Sequence, residues 1–324
     1  MVESSGQRAR PADADYVQSI RETNQHLISL DSLYGGNDIL PLGLRIFRAA
    51  HANLATGRHD RAVEHDPEAA TGETAEITSW LAYDADRQNA ARQIIHEALL
   101  LSPLAGDRSM EQFELSHLAL LSLQQRRSRE VLRISEDLLD GRAIPPRVAA
   151  LFDLRRARAL AQLGDAARVL EALDRAWVAL AGSLTEQDPS WTWWLDDAEL
   201  AWHRRMVHVE LGEWGPAVEQ LTESAQGRTN ARRRASTRTR ARYNDLAHLL
   251  EALAHTRLWE QAEPVMIDVL DQAAEVGSAR TTNLLLGVVN HITRDRADST
   301  LTDAAMDLRR LLEAVDPIDD PGSG

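Results

Sequence analysis

His248, Glu251 and His255 recur at i, i+3 and i+7, which on a helix lays an imidazole, a carboxylate and a second imidazole along one face. Those residue types bind transition-metal ions, but a metal site also needs partners that orient each imidazole, and the same types are ordinary on a polar helix face. No metal or other cofactor is expected here. Asp196, Glu199 and His203 repeat a helical spacing beside Trp191, Trp193, Trp194 and Trp202. With 8 Trp in the whole chain, four within this short stretch are either the filling of a joint between helices or an aromatic wall for a ligand, and the joint is the expected role.

Signatures of catalysis are missing from the sequence. It holds no Gly-x-Gly-x-x-Gly, no phosphate loop, no Gly-x-Ser-x-Gly and no His-Glu-x-x-His, and His96-Glu97 lacks the second His. With Cys at 0, disulfides, thiolate metal sites and cysteine nucleophiles are excluded together. The chain is therefore expected to bind rather than to catalyse.

A basic island stands between residues 228 and 242, where Arg228, Arg232, Arg233, Arg234, Arg238, Arg240 and Arg242 occur without an acid. All 36 basic residues are Arg, against 50 acids, and the net charge of −14 repels a phosphate backbone at long range. The island is expected to be a solvated loop over 228–240; a dock for an acidic partner is the sharper reading and direct contact with nucleic acid a further alternative, for which no aromatic residues interleave to stack bases.

The elements that position these groups are helices. Gly at 17, Pro at 11 and aromatics at 5% are few in 324 residues, while Ala, Leu, Arg and Glu dominate, which predicts an all-α chain. The apolar period of 3.6 predicts fourteen helices between about 12 and 315, among them 193–211, 240–256 and 278–293. Residues 1–14 and the acidic 317–324 lack that period and are expected to be disordered tails flanking one domain over 15–316. Nothing approaches the roughly 20 apolar residues of a membrane span, so no membrane contact and a cytoplasmic protein are expected.

The helices repeat as hairpins. Leu163-Gly164-Asp165 and Leu211-Gly212-Glu213 each close one helix, and a small residue five positions after the Gly, Val169 or Ala217, opens the next to close packing. A third copy has Arg257 where the Gly would stand, ahead of Ala262, and degenerate copies anchor on Val131 and Ala91. This arrangement resembles the tetratricopeptide (TPR) motif, though the anchors at 91, 131, 169, 217 and 262 lie 40, 38, 48 and 45 residues apart rather than at the regular repeat of about 34. The fold class expected is an α-solenoid of antiparallel helical hairpins, a TPR-like right-handed superhelix.

Several phrases in fixed order carry a more specific likeness: Tyr16-Val17-Gln18, Leu33-Tyr34-Gly35-Gly36, Phe47-Arg48-Ala49-Ala50-His51, Trp80-Leu81-Ala82-Tyr83, His96-Glu97-Ala98-Leu99, Leu104-Ala105-Gly106-Asp107, Trp191-Thr192-Trp193-Trp194 and Glu199-Leu200-Ala201-Trp202-His203. Together they resemble the C-terminal TPR-like region of actinobacterial transcriptional regulators of the XRE type, including negative regulators of sporulation and antibiotic production. Many such regulators carry a helix-turn-helix ahead of this region, and here only about 14 residues precede Tyr16. The resemblance thus implies a regulator of development or secondary metabolism that acts through protein contacts, with a separate DNA-binding regulator as a possible partner.

A superhelix of helix pairs binds extended peptides along the concave side, lined by the first helix of each pair. The repeat register places Trp80, Tyr83, Arg158, Gln162, Glu199, Trp202, Glu210, Asn244, Glu251 and His255 on that groove, with Arg158 and Asn244 as donors for a carboxylate or peptide backbone. The expected function is a regulatory scaffold that binds a protein or peptide and influences transcription. The alternatives are a nucleic-acid-binding regulator acting through the island from Arg228 to Arg242, and an enzyme with an unrecognised site.

Overall fold

A computed structural model describes residues 13–56, 63, 65–141, 144–182, 185–225, 235–295 and 299–315. Asp13 caps the first helix and Ala14 opens it, so that helix begins within the tail expected at 1–14, whereas residues 1–12 and the tail expected at 317–324 lie outside these residues. So do Arg228, Arg232, Arg233 and Arg234, and the side chain of Arg238.

Among the described residues the chain is helical and without strands. The helices are α1 (Ala14–Tyr34), α2 (Gly36–Ala55), α3 (Asp66–Asp84), α4 (Gln88–Leu104), α5 (Arg108–Gln124), α6 (Ser128–Gly141) and α7 (Pro146–Gln162). They continue as α8 (Ala166–Leu180), α9 (Asp197–Leu211), α10 (Trp214–Ala225), α11 (Ala235–Thr256), α12 (Trp259–Ala273), α13 (Ala279–Arg294) and α14 (Ser299–Val315). No described helix is long and apolar enough to cross a membrane.

One turn is built again and again. Gly106, Gly164 and Gly212 sit at φ of 71°, 77° and 72°, and Asp86, Arg126 and Arg257 adopt the same left-handed backbone at 53°, 56° and 56°. In each case the next residue donates its N–H to a carbonyl five positions earlier. Asp107 bonds Ser102 at 2.9 Å, Arg127 bonds Ser122 at 2.8 Å, Asp165 bonds Leu160 at 3.0 Å and Leu258 bonds Leu253 at 3.1 Å. This closure satisfies the last carbonyls of the first helix. The carboxylates of Asp107 and Asp165 then cap the second helix, accepting from Met110 and Arg168. Arg257 therefore holds the Gly position of its repeat, as the sequence suggests.

Helices pack chiefly on their chain neighbours, α3 on α4, α7 on α8, α10 on α11 and α11 on α12. Ala91, Val131, Val169, Ala217 and Ala262 are all buried in the second helix of a pair, where a small side chain lets two backbones approach. One core joins α2 to α5 around Leu81, Ile95 and Leu121; a second joins α7 to α9 around Leu151, Leu154 and Leu160; a third runs from α10 to α14 around Leu250, Met266 and Leu285.

Two expected boundaries differ. The helix over 193–211 is split into a 3-10 turn, Ser190–Trp194, and α9. Leu195 is buried at the break, and the extended Asp196 caps α9 by accepting from the N–H groups of Ala198 and Glu199. The loop expected over 228–240 ends earlier, since α11 begins at Ala235 and carries Arg238, Arg240 and Arg242 as helical residues.

The chain also meets itself end to end. α1 packs on α11 and α3 on α13, in a seam whose partners lie about two hundred residues apart. Gly35, at φ 86°, faces Gly277 so closely that a Cβ on Gly35 would stand 2.1 Å from the Gly277 carbonyl oxygen. Asn37 binds both sides of that turn, its N–H donating to Gly277 and its Oδ1 accepting from Ala279.

Candidate functional site

The residues expected to line one groove lie on α3, α7, α9 and α11, and most of them are engaged with other side chains of the chain. Arg158 donates to Glu210 through Nε at 3.0 Å and Nη2 at 2.6 Å, and its guanidinium lies 5.1 Å from the centre of the Trp202 ring. Gln162 donates to Glu210 and to the Leu123 carbonyl, and accepts from Ser128. Asn244 accepts both Arg280 amino groups at 3.4 Å. Of the two donors expected to hold a peptide, Arg158 is thus engaged within the chain, because Glu210 from α9 reaches it in a buried setting, while Asn244 is held through its Oδ1.

The same holds across the interior. Arg155 donates to His203 at 3.1 Å, and Arg205 pairs with Asp245 at 3.2 Å, all four side chains being buried. Burial, with Arg155 and Arg158 nearby, holds His203 down to about 4 although Glu199 opposes it, so the ring is neutral and its Nε2 accepts from Arg155. Burial also lowers Arg155 to about 10, a value at which it stays charged in neutral water. These groups form a polar interior rather than an open wall. Removing any one leaves another buried without its partner.

The tryptophan cluster divides. Trp191 stacks on Phe113 with centroids 4.8 Å apart and donates its indole N–H to Ser109, fixing the 190–194 turn against α5. Trp194 packs on the core around Leu151 and Leu195. Trp193 is 67% exposed. From Trp191 the rings continue through Phe113, His117 and Trp80 to Tyr83, and Arg280 caps the end 5.2 Å above Tyr83. Trp80 and Tyr83 belong to this ladder, and the Trp80 N–H is taken by Asp31.

Asp84, not among the residues expected to act, is the hub of the seam. It is buried, accepts from the Gly36 N–H and the Ser278 hydroxyl, and pairs with Arg240. Arg240 also reaches Asp31 at 3.0 Å. This corrects its expected place in a docking island. Burial works against the Arg240 charge, but Asp84 and Asp31 outweigh it and hold its pKa above the ordinary value. Arg242 pairs with Asp268 at 2.7 Å, in the open.

A cleft lies open between α11 and α13. Glu251, Ala254 and His255 of α11 and Asn283, Leu284, Gly287, Val288 and His291 of α13 line this cleft of about 370 Å³. His255 stacks flat on Trp214 at 3.9 Å and meets the edge of His291 at 4.5 Å. Burial, and after it the neighbouring His291, lowers the His255 pKa. Glu251 accepts from His248 at 3.1 Å, so the expected face of His248, Glu251 and His255 is present, but its first two members bind each other. Among the described residues no three His, Asp or Glu side chains are gathered to hold a metal ion. Sequence reasoning found Glu251 and His255 and missed Asn283, Gly287 and His291, whose signal is a glycine inside an otherwise apolar helical run.

No protein-family model matches the chain, and no curated protein matches it.

Proposed function

We propose that the helix pairs wind as a TPR-like right-handed superhelix and that the protein is a regulatory scaffold, binding a protein or peptide on the inward face and influencing transcription in an actinobacterial cell. The observation that carries this reading is the open cleft between α11 and α13. It lies between the first helices of two successive pairs, where helical-repeat proteins receive extended chains, and it joins an apolar floor to a rim of polar groups. The phrases around Tyr16, Trp80 and Trp191 that resemble sporulation and antibiotic regulators support the link to transcription.

Nucleic acid is the less favoured partner. Arg240 and Arg242 already answer Asp31, Asp84 and Asp268, and the net charge of −14 repels duplex. Affinity capture from native lysate followed by mass spectrometry tests the proposal. The expected result is one enriched protein that carries its own DNA-binding domain. Duplex binding by the isolated chain at micromolar concentration and physiological salt would instead make it a direct DNA-binding regulator.

A further inference from the structure

The rim of the α11/α13 cleft is built from groups that are each held by one partner and each keep an acceptor. Asn283 gives one Nδ2 hydrogen to Asp86 at 2.6 Å, across the seam, which leaves Oδ1 and a second N–H. His291 turns Nε2 to Asp295 at 3.5 Å, which leaves Nδ1. Glu251 uses Oε2 for His248, which leaves Oε1 and its negative charge. Each is held in place by its second partner, as His255 is held by the Trp214 ring. A rim fixed in this way loses little entropy when a ligand arrives.

The floor adds a second constraint. Ala254, Leu284 and Val288 are apolar, and Gly287 has no atom within 4 Å of where its Cβ would stand. Two other helical glycines are explained by close packing, since a Cβ would meet Leu81 within 2.6 Å at Gly36 and within 2.9 Å at Gly43, whereas Gly215 near the start of α10 is as open as Gly287. Gly287 has no such neighbour, and a glycine inside a helix costs about 1 kcal/mol relative to alanine. Its effect is to keep the cleft open.

We propose that this cleft receives the side chain of an arginine residue in the partner peptide, its methylene stem on Ala254, Leu284 and Val288 and its guanidinium among Glu251, Asn283 and His291. Arginine fits because its stem is apolar and its planar head is donor-only, presenting several N–H groups to separate acceptors at once. Lysine offers the same charge without the fork, and an acidic or purely apolar side chain would leave the acceptors facing an acceptor or nothing. The proposal rests on the scaffold reading and names what the site holds.

The test uses the full chain and N-acetyl-arginine amide, followed by the ring resonances of His255 and His291, which His255→Gln and His291→Gln variants assign. Saturable shifts of both rings are expected, with a dissociation constant of about 1 mM. N-acetyl-lysine amide should bind about fivefold more weakly, and the norleucine and glutamate amides should leave the rings unmoved. Gly287→Leu fills the cleft and should abolish the shifts. Should that variant not fold by circular dichroism, Glu251→Gln decides, with about tenfold weaker binding expected. Unmoved rings with the arginine probe, equal shifts with norleucine or glutamate, or unchanged affinity in Glu251→Gln would each overturn the proposal. Capture of a DNA-binding partner together with silence toward the arginine probe sinks this inference and leaves the scaffold reading. Arginine binding without any such partner does the reverse.

Discussion

The guanidinium of Arg240 on α11 lies 3.0 Å from the carboxylate of Asp31 on α1, although 209 residues separate the two. Beside them Asp84 of α3 takes the other amino group, and Ser278, the Gly36 N–H and, at 3.8 Å, Arg280 also reach its carboxylate. The pair thus clamps α1 and α3 onto α11, through charges that are largely withdrawn from water.

Arg240→Ala should therefore destabilise the protein by about 3–5 kcal/mol, because two buried carboxylates lose their counterion together. Arg242→Ala, which breaks only the exposed pair with Asp268, should change stability by less than about 1 kcal/mol. Chemical denaturation measures both. Similar losses in the two variants would show that the seam contributes nothing beyond a surface ion pair.

Gly277→Ala tests the seam by shape rather than charge. A Cβ there would stand 2.6 Å from the Tyr34 carbonyl oxygen, so α1 and α13 must separate. Faster hydrogen exchange at residues 31–37 and 277–283, with the α7/α8 pair unchanged, is the expected result. Unaltered exchange at the seam would contradict the contact.

The sequence foretold the helices and their turns because both are local. Alternation of Leu-Gly-acid with small anchors predicts the hairpins, and Arg257 proves to occupy the left-handed position of a missing Gly. The seam was hidden because nothing local distinguishes Arg240 from the Arg residues around it, and Asp84 reads as a helix-end acid. Of the residues assigned to a groove, several are already engaged by other side chains of the chain. Helical register predicts that Arg158 and Glu210 point inward, but not that neighbouring first helices bring them into contact. The break at Leu195 was missed because the apolar period runs through it while the Asp196 cap ends it.

The two readings of the tryptophan cluster separate by residue. Trp191→Ala should cost about 3 kcal/mol, since it removes the stack on Phe113 and the bond to Ser109. Trp193→Ala, at an exposed ring, should leave the melting temperature within about 2 °C. The reverse order would mean that the turn is not anchored through α5.

Glu114 should make stability depend on pH. Burial raises its pKa from 4.5 to about 8 against the Ser102 hydroxyl that donates to it at 2.6 Å, and Glu76, Asp107 and Glu111 add repulsion. A carboxyl raised on folding contributes stability that is whole below its unfolded value and is lost as pH climbs through the folded one. The melting temperature should thus decline from about pH 4.5 to about pH 8. Glu114→Gln should flatten that decline, a difference of about 1–3 kcal/mol at the alkaline end. Parallel curves for the two proteins would exclude a buried, protonated Glu114.

Hydrogen exchange on the complex with the captured partner tests the central claim most directly. A scaffold that binds on its inward face predicts protection of residues 251–255 on α11 and 283–291 on α13, with the outward helices α8 and α12 exchanging as in the free chain. Protection confined to α8 and α12, with the cleft unaffected, would contradict the account.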